Sequence, residues 1–242
     1  MPLETDQNGM FIGGMTHPDE LGQYLQSRFT EKEIQQTYAQ LAEEAKALAR
    51  SEGVSPLRAF WRLLSRGYEE KNWQLKCKQG CGYCCHTGVA VTQLEWDTIL
   101  KHVEEKGIDL EQIIERSERT IKRIRETLAS GKNLDQVDWH RLVVNQPCPF
   151  LDDEQSCIVY EDRPLDCRLV VAFRGVCASK KLEHAQRGVV LEEAVASTVI
   201  AKLQHDQTPK FKRRKFYGTQ PLRLLQHWLI LWQNKKSKKR KK

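Results

Sequence analysis

Cys77-Lys78-Gln79-Gly80-Cys81-Gly82-Tyr83-Cys84-Cys85 places four thiols within nine residues, as a C-x3-C-x2-C-C run. Gly80 and Gly82 let the backbone turn sharply between them. Thiols this dense read as a metal knuckle. Four more, Cys148, Cys157, Cys167 and Cys177, follow a long stretch without cysteine, and the eight can surround one metal centre or two. The fold that this implies is mainly α: a helical scaffold around an irregular cysteine-rich metal centre, with at most a few short extended segments.

Disulfides compete with this reading, because an even count of cysteines can always be paired on paper. Residues 1–16 lack the basic start and apolar run of a secretory signal, which predicts a reducing, cytoplasmic setting. In such a setting clustered thiols turn toward metal or redox chemistry. Vicinal Cys84 and Cys85 also make a poor disulfide, since their side chains diverge. Thiolate is a soft ligand that selects zinc or iron-sulfur centres over magnesium or calcium. An all-thiolate zinc site has sulfurs at roughly 2.3 Å and is usually closed and structural. Spacing alone does not separate zinc from an iron-sulfur cluster.

The chain has 242 residues, enough for a hydrophobic core without a metal to rescue it. Its net charge is +7, yet residues 235–242 alone hold seven Lys or Arg and no acid, so the preceding body sums to zero. The basicity is a property of a tail. No apolar run approaches the ~20 residues of a membrane-spanning helix.

Helical signals surround the cysteines. Thr30 and Glu33 form a capping box ahead of Ile34, Tyr38, Leu41, Ala45 and Leu48, which predicts a helix ending near Gly53. Ser55-Pro56 opens a second, with Leu57, Phe60, Trp61 and Leu64 inward and Gly67 as its stop. Thr92 and Glu95 repeat the capping box for a helix to Gly107. Asp109 caps one longer helix carrying Ile114, Ile121, Ile124 and Leu128 as far as Gly131. Ile158 to Tyr160 and Leu169 to Phe173 read as short extended pieces, and a further helix runs from about Lys181 to Leu203. Pro221 opens a last helix with Leu222, Leu225, Leu229 and Trp232 in a stripe widened by Trp228 and Leu231. The expected organisation is an N-terminal helical segment at 1–69, a cysteine-cluster metal-binding region at 70–205 and a basic extension at 206–242, with an amphipathic helix and a polybasic tail.

The C-x3-C-G-x-C-C run, the C-P-F-L at Cys148 and the C-x-V-Y-E-x-R-P-x-x-C-R from Cys157 to Arg168 resemble the YkgJ-type CxxCxxCC cysteine-cluster family, described as zinc- or iron-chelating. The resemblance spans about Cys77 to Cys177. It puts Cys77, Cys81, Cys84, Cys85, Cys148, Cys157 and Cys167 on the family's cysteines, with Cys177 a looser match, and Arg163, Pro164 and Arg168 on its R-P-x-x-C-R segment. The opening C-x3-C is one residue longer than the family's C-x-x-C. The related flagellin lysine N-methylases carry a similar cluster associated with iron-sulfur chemistry. What the resemblance implies is metal binding, with zinc or iron as cofactor, and no particular reaction.

Around the cysteines, His86 could replace a thiolate, although eight sulfurs already suffice. Arg163 and Arg168 could offset thiolate charge or grip an anion, or else pair with Asp162, Asp166 or the acidic 152–154 loop. Tyr83 and Tyr160 read as packing residues. His102, His140, His184, His205 and His227 show no ligand spacing. No phosphate-binding glycine loop or dinucleotide fingerprint is present. The leading function is a zinc- or iron-chelating protein. One alternative is an iron-sulfur enzyme acting on a protein or small molecule, and another is a zinc-stabilised nucleic-acid-binding module. The polybasic tail would attract nucleic acid or an anionic membrane surface.

Overall fold

A computed structural model describes residues 11–12, 29–70, 77–131, 137–138, 142–143, 145–169, 186–187, 190–210 and 222–240. These residues are mostly α-helical, as the sequence implies. In chain order the elements are β1 (Phe11–Ile12), α1 (Glu31–Glu52), α2 (Pro56–Glu70), β2 (Ala90–Val91), α3 (Gln93–Glu105), α4 (Leu110–Arg116), α5 (Glu118–Ala129), α6 (Leu165–Leu169), β3 (Gln186–Arg187), α7 (Leu191–Gln207), β4 (Arg223–Leu224) and α8 (Leu225–Arg240). Short 3-10 turns occupy Tyr83–His86 and Tyr160–Asp162. Antiparallel pairs β1–β3 and β2–β4 are the two sheets among the described residues. No helix there is long and apolar enough to cross a membrane.

Two compact units result, residues 1–78 with 168–218, and residues 79–167 with 219–242. In the first, α1, α2 and α7 pack pairwise on one another. Ala42, Ala45 and Ala49 of α1 are small enough for close approach, and Leu57, Phe60 and Leu64 of α2 meet the layer with Val199, Ile200 and Leu203 of α7. The Thr30/Glu33 capping box opens α1, with Glu33 N donating to Thr30 Oγ1 and Thr30 N to Glu33 Oε2. Gly67 does not stop α2. The helix runs three residues further, and Gly67 instead makes room for Glu192, whose carboxylate would lie 2.6 Å from an added Cβ. Tyr68 Oη donates to Glu193 Oε1 at 2.5 Å, joining α2 to the start of α7.

The second unit buries Ile99 and Val103 of α3, Ile113 of α4, Ile121 and Ile124 of α5, Phe150, Val159, and Leu225, Trp228 and Leu229 of α8 in one core. Trp228 stacks on Trp96 and donates its indole N–H to Val91 O at 2.8 Å. The single helix expected from Asp109 to Gly131 is broken at Ser117 (φ −99°, ψ 9°), so α4 and α5 are separate helices. Ile158 to Tyr160 is not extended: it turns into the 3-10 segment, because Tyr160 N and Asp162 N donate to the carbonyls three residues back. The α7 helix begins at Leu191, ten residues later than expected. Pro221 and residues 170–173 lie outside the described residues. The stripe on α8 buries Leu225, Trp228 and Leu229, whereas Leu222 and Leu231 are exposed.

Candidate metal centre

The first cluster is shaped by tight turns. Gly80 adopts φ +87°, a conformation that side-chain-bearing residues rarely take. Gly82 packs so closely on the 151–155 loop that a Cβ there would meet Gln155 Oε1 at 3.0 Å and the Gln155 carbonyl at 3.1 Å. Cys85 N donates to Gly82 O at 3.0 Å, and Thr87 Oγ1 donates to Cys84 O at 2.9 Å. This winds Cys84, Cys85 and His86 into the 3-10 turn.

The second cluster docks directly on it. Cys148 N donates to Cys85 O at 2.6 Å, and Asn145 N donates to His86 O at 2.9 Å. From Cys148 the chain reverses, with Leu151 N bonded to Cys148 O at 3.0 Å. Asp152 then closes the acidic loop, its Oδ1 accepting from Glu154 N at 3.0 Å and Ser156 N at 2.7 Å. The loop returns Cys157 beside Leu151 in an isolated antiparallel bridge. Cys148, Cys157 and Cys167 all rest against the apolar core of the unit.

The electrostatics show which sulfurs face each other. The Cys85 thiol donates to Cys84, and this bond, helped by the Arg163 guanidinium, brings Cys84 down to about 7. The same bond, burial, and the neighbouring Cys84, Cys148 and Cys157 sulfurs push Cys85 far up. Burial pushes Cys148 up to about 12, against backbone N–H groups of Phe150 and Leu151 directed at its sulfur. Cys157 is raised by burial while Val159 N–H and Arg163 oppose the rise. Cys167 is raised by burial and by Cys148, Cys84 and Cys157. Cys84, Cys148, Cys157 and Cys167 are therefore mutual electrostatic neighbours, and Cys85 adjoins Cys84, Cys148 and Cys157.

That donor set fits a soft metal. All seven described cysteines are half-buried, and backbone N–H groups and one cation already point at sulfurs that would carry charge as thiolates. Among the described residues, no three His, Cys, Asp or Glu side chains stand in the arrangement that would hold an ion. The fit is one of donor chemistry and proximity. Cys81 lies two residues ahead of the 3-10 turn, Cys77 falls in the first unit, and Cys177 lies outside the described residues.

The neighbouring residues divide sharply. Arg163 sits 4.1 Å over the Tyr160 ring and within reach of Cys84 and Cys157, whereas Arg168 lies 4.4 Å over the Trp61 ring. His102, which sequence spacing leaves as ordinary, is buried, with Nδ1 at 2.8 Å from Asp162 Oδ2. Glu95 is buried too, and beyond its capping role it accepts from Leu165 N at 2.7 Å. Local pattern could not reveal either contact, since the partners are 60 and 70 residues apart. His140 and His184 are outside the described residues.

Residues 76–190, just under half of the chain, match a family model named CxxCxxCC and described as a "putative zinc- or iron-chelating domain". No curated protein and no solved structure matches the chain significantly.

Proposed function

We propose, from the premise that residues 76–190 belong to the CxxCxxCC zinc- or iron-chelating family, that both cysteine clusters of this chain supply sulfur to one centre. The observation that carries the proposal is the Cys148 N–H bond to Cys85 O, which ties the two clusters together at the backbone. Cys84, Cys85, Cys148, Cys157 and Cys167 are the primary candidate ligands, and Cys77, Cys81 and Cys177 are the further sulfurs the chain can offer. Zinc would supply a closed structural tie, and iron an electron-storing one.

The residues around the sulfurs suit that role. Metal binding requires deprotonated thiols, and Cys84 is the sulfur that ionises most readily among those with resolved shifts. Backbone N–H groups on Cys148 and Cys157, and the Arg163 guanidinium beside Cys84 and Cys157, offset the negative charge that several thiolates accumulate.

Metal analysis of anaerobically purified protein, with acid-labile sulfide and an absorption spectrum, tests the proposal. The expected result is zinc or iron bound to wild type and reduced by Cys84→Ser and by Cys157→Ser alike. Metal retained in full when either cluster is mutated would refute the shared centre.

A further inference from the structure

One face of α3, with β2 just ahead of it, grips the segment leading to Cys167 at three successive points. At its C-terminal end, His102 Nδ1 lies 2.8 Å from Asp162 Oδ2, with both side chains buried. Two helical turns back, Glu95 Oε1 accepts from Leu165 N at 2.7 Å. Just ahead of the helix, Ala90 N of β2 donates to Asp166 Oδ2 at 2.7 Å. Glu95 and His102 are seven residues apart, so they share a face at about 10.5 Å along the axis, given 1.5 Å rise per residue. The loop therefore runs antiparallel to α3 from 162 to 166, and each bond lies closer to Cys167 than the one before.

The polar face is costly unless it is matched. Glu95 is 2% exposed and His102 5% exposed, and polar groups so buried are tolerated only with good partners. Glu95 uses both oxygens: Oε2 accepts from Thr92 N at 2.8 Å and Thr92 Oγ1 at 2.7 Å, leaving Oε1 for Leu165 N. The helix cap and the cysteine loop thus share one carboxylate. On the other side, the 3-10 bonds from Cys157 O to Tyr160 N and from Val159 O to Asp162 N make 157–162 a locally closed unit. Fixing Asp162 accordingly fixes the direction in which both Cys157 and Cys167 leave it.

We infer that Glu95 and His102 are positioning residues for the centre proposed above, holding residues 162–166 against α3 so that Cys167 stands among Cys84, Cys148 and Cys157. The inference rests on the chelating role for its function but on these hydrogen bonds for its geometry. Outer partners of this kind orient ligands, and their loss typically costs about 10–100-fold in metal affinity.

The test compares His102→Leu, which removes the Asp162 partner, with His102→Asn, whose amide nitrogen stands near the place of Nδ1. Metal-free protein is labelled with limiting iodoacetamide and each cysteine is quantified by peptide mass, and zinc affinity is measured by competition with a chromophoric chelator. Expected for His102→Leu are labelling of Cys167 about tenfold faster than in wild type, unchanged rates at Cys84 and Cys148, and zinc affinity lower on the order of 10–100-fold. His102→Asn should recover most of both. Glu95→Gln should give a weaker form of the same Cys167-selective signature, because its one amide oxygen cannot accept from Leu165 N–H and Thr92 N–H at once. Equal acceleration at every cysteine, or no change at Cys167, overturns the inference. Wild type that binds neither zinc nor iron would sink the chelating role instead, and the labelling contrast would still decide whether α3 holds Cys167.

Discussion

The α1–α2–α7 layer and the cysteine loops are held by different forces. The layer is apolar and periodic: Phe60 and Ala59 of α2 and Ala45 of α1 are fully buried, and hydrocarbon burial at about 25 cal/mol per Å² drives it. The loops are irregular: Phe150 and Val159 anchor them in an apolar core, and their course is fixed by long-range polar bonds from Cys148 N to Cys85 O, from Leu165 N to Glu95, and between His102 and Asp162. Regular packing tolerates the absence of a metal. Irregular backbone carrying five thiols has far less to hold it, so a metal tie would contribute most there.

The largest expected effect is that of Cys84→Ser. If the centre is structural, its binding free energy is part of the folding free energy of the loops, and apparent values for structural zinc run to about 10–16 kcal/mol. Metal content should fall, and amides of 145–169 should lose hydrogen-exchange protection while those of α1, α2 and α7 keep theirs. Loss of protection in both sets together would break the contrast between the two regions.

Phe60→Ala reverses the comparison. Phe60 is fully buried in the helical layer, and emptying such a site costs about 3–5 kcal/mol. The unfolding free energy of α1, α2 and α7 should fall by that amount, with metal stoichiometry unchanged at a temperature where the protein stays folded. A variant that lost metal while its helices stayed intact would show that the layer supports the centre after all.

The same contrast explains what could be read in advance. The Thr30/Glu33 and Thr92/Glu95 capping boxes name the starts of α1 and α3, because a cap is a local hydrogen-bond pattern within four residues. Apolar periodicity likewise marks Leu57, Phe60 and Leu64. The break at Ser117 was not legible, since Ile114 and Ile121 keep the same inward side on both helices. Gly67 misled because its missing Cβ serves Glu192, a tertiary neighbour, and not a helix end. The cysteine types and their density were legible as donor chemistry. Their mutual placement was not, because it depends on His102 and Glu95 finding partners far along the chain.

Gly82→Ala is a smaller disturbance at the loop contact. Its φ of −88° suits any residue, so the cost comes only from the methyl group meeting Gln155 at 3.0–3.1 Å and Leu151 Cδ1 at 3.2 Å. Overpacking of this size costs about 1–3 kcal/mol. Because the pressure falls on the loop between Cys148 and Cys157, zinc affinity should weaken while the α1–α2–α7 amides are unaffected. Unchanged affinity in a variant with a normal melting temperature would mean that the loop yields without moving its sulfurs.

The smallest expected effect is at the end of α8, where Lys236 reaches Glu111 at 2.8 Å and lies 5.1 Å over the Trp232 ring. Both charged side chains are more than a third exposed, so water and salt screen the pair. Exposed pairs contribute about 0–1 kcal/mol, and an exposed cation over an aromatic ring about 0.5–1 kcal/mol. Lys236→Ala should therefore shift the unfolding midpoint only slightly, by less at high salt than at low, and leave metal content untouched, because the bond joins α8 to α4 without involving the cysteine loops. A metal loss comparable to that of Cys84→Ser would contradict this ordering, since it would require a screened surface contact to matter as much to the centre as a sulfur within it.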